Sequence, residues 1–372
     1  MNVEKAKQAM QTAMDITKKH LKEFEGGFPK TASEDNWYHK SEGNFDWTEG
    51  FYTGIQWLSY EMSGDSAFKG AAEEQVKSFY DRAVSKVNVE NHDMGFLYTL
   101  SCVAAYKLTG SETAKAAALM AADFLKARFR EKGQFIQAWG KLDAPDNYRL
   151  IIDCLLNLPL LYWASETTGD NSYRDIAQRH LNTTRANIMR DDFSTYHTFY
   201  FDLETGAPDH GATHQGYRDD SAWSRGQAWG VYGLMLNYAY THDDSILPQW
   251  KGVTDYFIAH LPKDLAAYWD FYFMDGDEPR DSSASAIAVC GILEAYRQGK
   301  CDDSYLNKAY DILDSLIDNY AAKDDGSTNG ILLHSTYGRL LGAGIDECCL
   351  WGDYFYMEAL MRVINPDWKM YW

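Results

Sequence analysis

Asp93, in Asn91-His-Asp-Met-Gly-Phe96, and Asp153, in Ile151-Ile-Asp-Cys-Leu-Leu-Asn-Leu-Pro159, each open a strongly apolar segment of helical period. Two carboxyls held in apolar surroundings can do acid–base chemistry, because burial and mutual repulsion let one of them keep a proton near neutrality. Residues suited to a sugar recur at the fronts of other apolar segments. They are Trp47 after Asp46, His92 beside Asp93, and Arg225 with Trp229 in Arg225-Gly-Gln-Ala-Trp-Gly230. Polar links add Gln137 and Trp139, His197 in Tyr196-His-Thr, and His214 with Gln215 in Thr213-His-Gln-Gly216. Indoles stack on sugar rings, while arginine and the polar side chains suit an acidic sugar.

Plainer readings compete with these. An aspartate ahead of an apolar run is usually an N-cap, and Asp46, Asp65 and Asp281 are read that way. Asp93 and Asp153 differ, since they lie within or beside apolar residues where desolvation is costly without a task. Trp57 is assigned to the core. His210 and His214 are four apart, but Gly-Ala-Thr between them argues against a helical zinc pair. The chain has no HExxH, Walker A, GxSxG or dinucleotide fingerprint.

The elements that must position these groups follow one repeated phrase. An apolar helix ends at Thr-Gly or Ser-Gly, a short link with Asp or Ser follows, and an amphipathic helix begins. Copies run from Trp47 to Gly64, Asp93 to Gly110, Asp153 to Gly169 and Ser283 to Gly299; a copy from Arg225 to His242 lacks the glycine. A sixth apolar helix begins at Trp351, with the N-terminal helix free to partner it. Each glycine suits a left-handed stop, and the following Asp or Ser suits the next N-cap. Six such pairs predict an all-α (α/α)6 toroid, six inner helices ringed by six outer ones, in a single domain over 1–372. An open solenoid is the competing shape, but Trp351-Gly-Asp-Tyr-Phe-Tyr356 is too apolar for an exposed end cap. Inner helices then point one way and their N-termini form one rim, where free N–H groups favour an anionic ligand. Long links at about 130–150, 190–224, 264–282 and 323–348 feed that rim.

Composition supports this picture. The 372 residues are 45% apolar with only 8 Pro, so a large helical core is available; 12 Trp, 26 Tyr and 17 Phe are an unusual share, many of them core, though tryptophans beside acids and histidines also suit sugar rings. A net charge of −19 argues against nucleic acid and anionic membrane as partners and leaves room for a small anionic substrate in a locally positive pocket. The N-terminus shows no signal-peptide run and no stretch approaches a membrane span, so a cytoplasmic protein is expected. Six cysteines without CxxC spacing are read as reduced thiols.

The motifs together resemble the unsaturated glucuronyl hydrolases, glycoside hydrolase family 88. The matching words are Asp46-Trp-Thr-Glu-Gly-Phe51, His92-Asp-Met-Gly-Phe-Leu-Tyr98, Gln137-Ala-Trp-Gly140 and residues 151–161, 196–202, 213–216, 225–230, 279–286 and 351–354. The resemblance implies release of a terminal 4,5-unsaturated uronic acid from oligosaccharides left by polysaccharide lyases, by hydration of the C4=C5 vinyl ether. It implies Asp153 as general acid/base and Asp93 as its partner. His197, Gln215 and Arg225, with His92 and His214 beside them, are implied as uronate-binding, and Trp47, Trp139 and Trp229 as stacking walls. No metal or organic cofactor is implied, and a monomer is expected. One departure stands out. Members that accept sulfated chains carry Ser-x-x-Ser-x-Lys before Trp-Gly-Asp, whereas this chain reads Gly338-Arg-Leu-Leu-Gly-Ala343. Unsulfated substrates are therefore expected to be preferred. A hydrolase for unsaturated galacturonyl-rhamnose from pectin is the nearest alternative. A sugar epimerase working through His197 and His214 is a more distant one.

Overall fold

The computed structural model describes residues 1–372. The inner helices are Glu49–Ser63, residues 94–109, Leu158–Thr168, Ser224–Thr241, Ser282–Arg297 and Leu350–Ile364. The outer helices are Val3–Glu23, Ser66–Ser85, Glu112–Ala127, Asn171–Asn187, Leu247–Ala259 and Asp303–Asn319. Burial separates the two sets. The last inner helix is buried at every position from Leu350 to Val363. The outer helix Asp303–Asn319 buries only Ala309, Ile312, Leu313 and Leu316, a single stripe at helical spacing. A helix apolar all round must be covered on all sides, so the first set goes inside.

The ring is closed. Its last inner helix packs on both the fifth and the first, and the N-terminal helix Val3–Glu23 covers it from outside. The architecture is the expected (α/α)6 toroid, and the open solenoid is excluded. The stops also fall where the repeat puts them: Gly64, Gly110, Gly169 and Gly299 have φ between 67° and 78°, and His242 takes the left-handed role at 50° where the glycine is missing. Asp65, Ser111, Asp170, Asp243 and Asp302 each accept a backbone N–H at the start of the next helical segment. Trp57 is buried core, and its indole N–H donates to the Ser101 carbonyl.

Two inner segments depart from a plain helix. Residues 94–109 contain a π-helical turn at Thr99–Val103, and Asp153 sits in a 3-10 turn, Ile152–Leu156, before the third inner helix. At the rim the first three segments are pressed together. A Cβ on Gly50 would lie 2.1 Å from the Phe96 carbonyl oxygen, and one on Gly95 would lie 2.3 Å from Asn157 Cα. Only glycine permits these approaches.

The long links are not structureless. Arg149–Ile151, Thr198–Phe201 and Pro208–Ala212 form a three-stranded antiparallel sheet, and Ser335–Gly338 pairs with Ala343–Glu347 in a hairpin. They rest on the rim end of the ring. At the other end of the inner helices Arg362 donates to Glu294, Glu358 and the Tyr232 hydroxyl, and Trp372 donates to Glu358 while stacking on Phe355. All six cysteines are unpaired, five of them buried.

Candidate active site

Asp93 occupies the N-cap position of the second inner helix, yet its side chain makes no capping bond. Asp153 lies in its 3-10 turn with Oδ1 buried and without a partner. Both carboxyls are therefore free to face the space between the helix starts. His92 lies between them, its Nε2 3.5 Å from Asp93 Oδ1 and 3.4 Å from Asp153 Oδ1. One ligand atom from each of the three falls within 4.8 Å of the others. Such a trio can share a proton, and its donor set could also grip a cation.

The electrostatics favour a shared proton. Burial pushes the Asp93 carboxyl well above the carboxylate range, and the Asp153 charge adds to it. Burial likewise lifts Asp153 to about 7, against the pull of the Arg225 guanidinium. His92 is driven far down, by burial first and then by the charge of Arg128, so it is a neutral imidazole. Neither of its ring nitrogens has a hydrogen-bond partner.

These carboxyls open on a cavity of about 200 Å³ lined by twelve residues. Nine of them are site residues expected from the sequence: Asp93, Asp153, Trp47, Trp139, His197, His214, Gln215, Arg225 and Trp229. The tenth expected residue, His92, sits behind the two acids with no exposed surface. The other three lining residues, Trp223, Tyr337 and Leu341, were missed. Trp223 had a signal, since it lies two residues before Arg225 at a helix start, but isolated tryptophans default to core. Tyr337 and Leu341 lie in the link 323–348, where no period marks which side chains turn inward.

Each wall has its own support. Trp47 stacks on Trp351 at 5.1 Å, and its indole N–H donates to the Tyr337 hydroxyl at 3.1 Å. Trp139 is backed by the Arg149 guanidinium, 4.6 Å from its ring centre. Trp229 forms the floor on Phe96 and Phe355. His197 Nδ1 accepts the backbone N–H groups of His214 and Gln215 at 2.9 and 3.2 Å, so the neutral ring carries its proton on Nε2. The Gln215 amide donates to the Tyr337 carbonyl at 3.3 Å.

Arg225 is more committed than its sequence position suggested. It is wedged between the indoles of Trp223 and Trp351. It donates to Asp281 and to the carbonyls of Thr336 and Tyr337. Of its five N–H groups, only the Nε–H and one on Nη2 remain. Asp281 is thus an ion-pair partner and makes no cap bond, correcting the expectation that it caps its helix. Asp46 is a second correction. It accepts from Thr31 and from the Trp47 N–H, while Thr48 holds the cap position and Glu49 takes the Phe45 and Asp46 N–H groups. The Glu49 carboxylate holds the backbone ahead of the helix rather than the helix end itself. Asp353, at the start of the last inner helix, is buried and accepts the Ile331 and Leu332 N–H groups.

Residues 16–358 match Glycosyl Hydrolase Family 88. The unsaturated chondroitin disaccharide hydrolase of Streptococcus pneumoniae (strain ATCC BAA-255 / R6) is 48% identical over 99% of this chain and 94% of its own length. The crystal structure of unsaturated glucuronyl hydrolase from Streptococcus agalactiae superposes with a TM-score of 0.97 at 43% identity, covering 100% of this chain and 94% of that one. An aspartate-to-asparagine variant of the S. agalactiae enzyme, complexed with dGlcA-GalNAc6S, matches with a TM-score of 0.88 at 39% identity, over 100% and 94% of the two chains.

Proposed function

The chain belongs to glycoside hydrolase family 88, and we propose on that basis that Asp93 and Asp153 carry out vinyl-ether hydration on unsaturated uronyl disaccharides of the chondroitin and hyaluronan type. The protein is a glycosidase that releases the terminal 4,5-unsaturated uronic acid from oligosaccharides made by polysaccharide lyases. The observation that carries the assignment of residues is the meeting of two uncapped, partly desolvated carboxyls across one indole-walled cavity.

In this scheme the protonated Asp153 delivers its proton to C4, and positive charge develops at C5 and the ring oxygen. A water, deprotonated by the same carboxylate, adds at C5. The resulting hemiketal opens to a C5 ketone, and the hemiacetal left at C1 expels the rest of the saccharide. Asp93 holds the ring hydroxyls and supports the developing charge. The His197 Nε2–H, the Gln215 side chain and the two uncommitted N–H groups of Arg225 face the uronate carboxylate, with His214 beside them. The indoles of Trp47 and Trp139 bracket the ring, above the floor made by Trp229. The reacting bond is a vinyl ether rather than an acetal, so the carboxylate-spacing rule for inverting and retaining glycosidases does not apply. The protein acts as a monomer in a reducing cytoplasm, a setting that six unpaired cysteines suit.

The test mixes the protein with unsaturated chondroitin or hyaluronan disaccharide and follows the double bond's ultraviolet absorbance. The absorbance falls if the proposal holds. Turnover confined to an unsaturated galacturonyl-rhamnose disaccharide would transfer the activity to pectin fragments.

A further inference from the structure

We infer that Asn157 is a positioning residue that caps the second inner helix in place of Asp93, and so keeps the Asp93 carboxyl in the cavity. The inference rests on the reading of Asp93 as a group that touches substrate. A side chain at an N-cap position normally accepts the N–H of the second or third helical residue. With Asp93 at the cap, the third residue is Phe96. The Phe96 N–H is already taken: it donates to Asn157 Oδ1 at 2.8 Å, from a residue 61 positions away. The other end of the same amide donates to the Asp153 carbonyl at 3.3 Å. One buried side chain therefore ties the backbone behind one acid to the backbone behind the other.

The local packing is built around this bond. Gly95 is the residue between Met94 and Phe96, and a Cβ there would lie 2.7 Å from Asn157 Oδ1 as well as against its Cα. The close approach that brings the amide within reach of Phe96 thus needs glycine at 95. Without Asn157 the Phe96 N–H would be an unsatisfied donor with an aspartate one turn before it. The Asp93 side chain would then rotate onto it. That motion takes the carboxylate out of the cavity, and the new hydrogen bond favours its ionised form.

Two substitutions separate this role from simple packing. Asn157→Ala removes the substitute cap, whereas Asn157→Asp keeps an acceptor of the same shape at Phe96. The readout is the titration of Asp93, followed by carboxyl-carbon NMR in protein with labelled aspartate and no substrate. In Asn157→Ala the Asp93 midpoint moves to lower pH by about one unit, the size of one hydrogen bond to a carboxylate. In Asn157→Asp it does not move down. Unchanged titration of Asp93 in Asn157→Ala, or an equal fall in both variants, would overturn the inference. Should the alanine variant fail to fold, Asn157→Ser, too short to span the same gap, is read by the same criterion. The NMR readout needs no turnover, so it stands apart from the catalytic reading, which fails separately if Asp93→Asn retains activity.

Discussion

His92 Nε2 and Asp153 Oδ1 lie 3.4 Å apart with no surface open to bulk water on the imidazole, and Asp93 Oδ1 is 3.5 Å from the same nitrogen. The imidazole is neutral and makes no hydrogen bond to either carboxylate, so it cancels the charge of neither. The two acids remain a coupled pair, and their protons leave in steps that belong to the pair. Because burial raises both, the pair holds a proton at pH values where ordinary carboxyls have lost theirs.

The first prediction concerns pH. The proton donor must be protonated to act, and Asp153 is lifted to about 7. Activity on an unsaturated disaccharide falls as pH rises through about 7, and Asp153→Asn lowers kcat by at least ~100-fold at every pH. A pH–rate profile on the wild type and the variant measures both. A rate flat from pH 6 to 9 would remove Asp153 from the acid role.

A second prediction turns the same shift into stability. A carboxyl whose folded pKa exceeds its unfolded one binds more protons when folded, so the fold loses stability as pH rises between the two values. For Asp153 that window runs from about 4 to about 7. Asp153→Asn removes the cost of an ionised, half-desolvated group. The variant is expected to be more stable than wild type at pH 8, by up to about 4 kcal/mol, with the gain vanishing near pH 4. Thermal melts across that range decide it. Equal melting temperatures at pH 8 would contradict the burial argument.

Arg225 supplies the third. Its guanidinium and the Asp281 carboxylate are both buried, and the arginine also holds the hairpin carbonyls of Thr336 and Tyr337. Arg225→Met strands Asp281 and should cost about 3–5 kcal/mol. Adding Asp281→Asn should return part of that stability without restoring activity, because the hairpin stays untethered. Denaturant melts of both variants, with the assay alongside, check the sequence of effects. A double mutant no more stable than the single one would refute the pairing.

How much of this was legible beforehand depended on range. The ring, its stops and its caps were readable because they are local: Gly64 with Asp65, or Gly169 with Asp170, announce themselves within two residues. Asp93 and Asp153 stood out because a carboxylate among apolar residues conflicts with its surroundings. Asp281 misled because its partner is 56 residues away, and nothing in Pro-Arg-Asp-Ser-Ser distinguishes a cap from half of an ion pair. Asp46 misled because the helix starts later than its apolar pattern suggests, so that Thr48 rather than Asp46 stands at the cap position. Tyr337 and Leu341 enter the cavity from a hairpin whose register was set by pairing rather than by any period in its own residues.

A fourth prediction belongs to that hairpin. Its turn carries Leu340 and Leu341, both exposed, and Leu341 also lines the cavity. Arg339 leans toward Glu278 at 3.5 Å, which draws its charge toward an acid and away from an incoming anion. Unsulfated unsaturated disaccharides should be turned over faster than 6-sulfated ones, most visibly in KM. Parallel kinetics on the two substrates provide the comparison, and a preference for the sulfated one would reverse the assignment of this turn.

Closure of the ring also limits how such a protein can diversify. An open stack of helix pairs can gain or lose a unit and remain a stack. Here the sixth inner helix must meet the first, so a seventh pair would have no place to sit and a missing pair would leave a gap through the core. New preferences for linkage or neighbouring sugar must therefore arise in the segments between helices, where length can change without disturbing the count of staves. Variation among kindred sequences should concentrate there, and the number six should not drift.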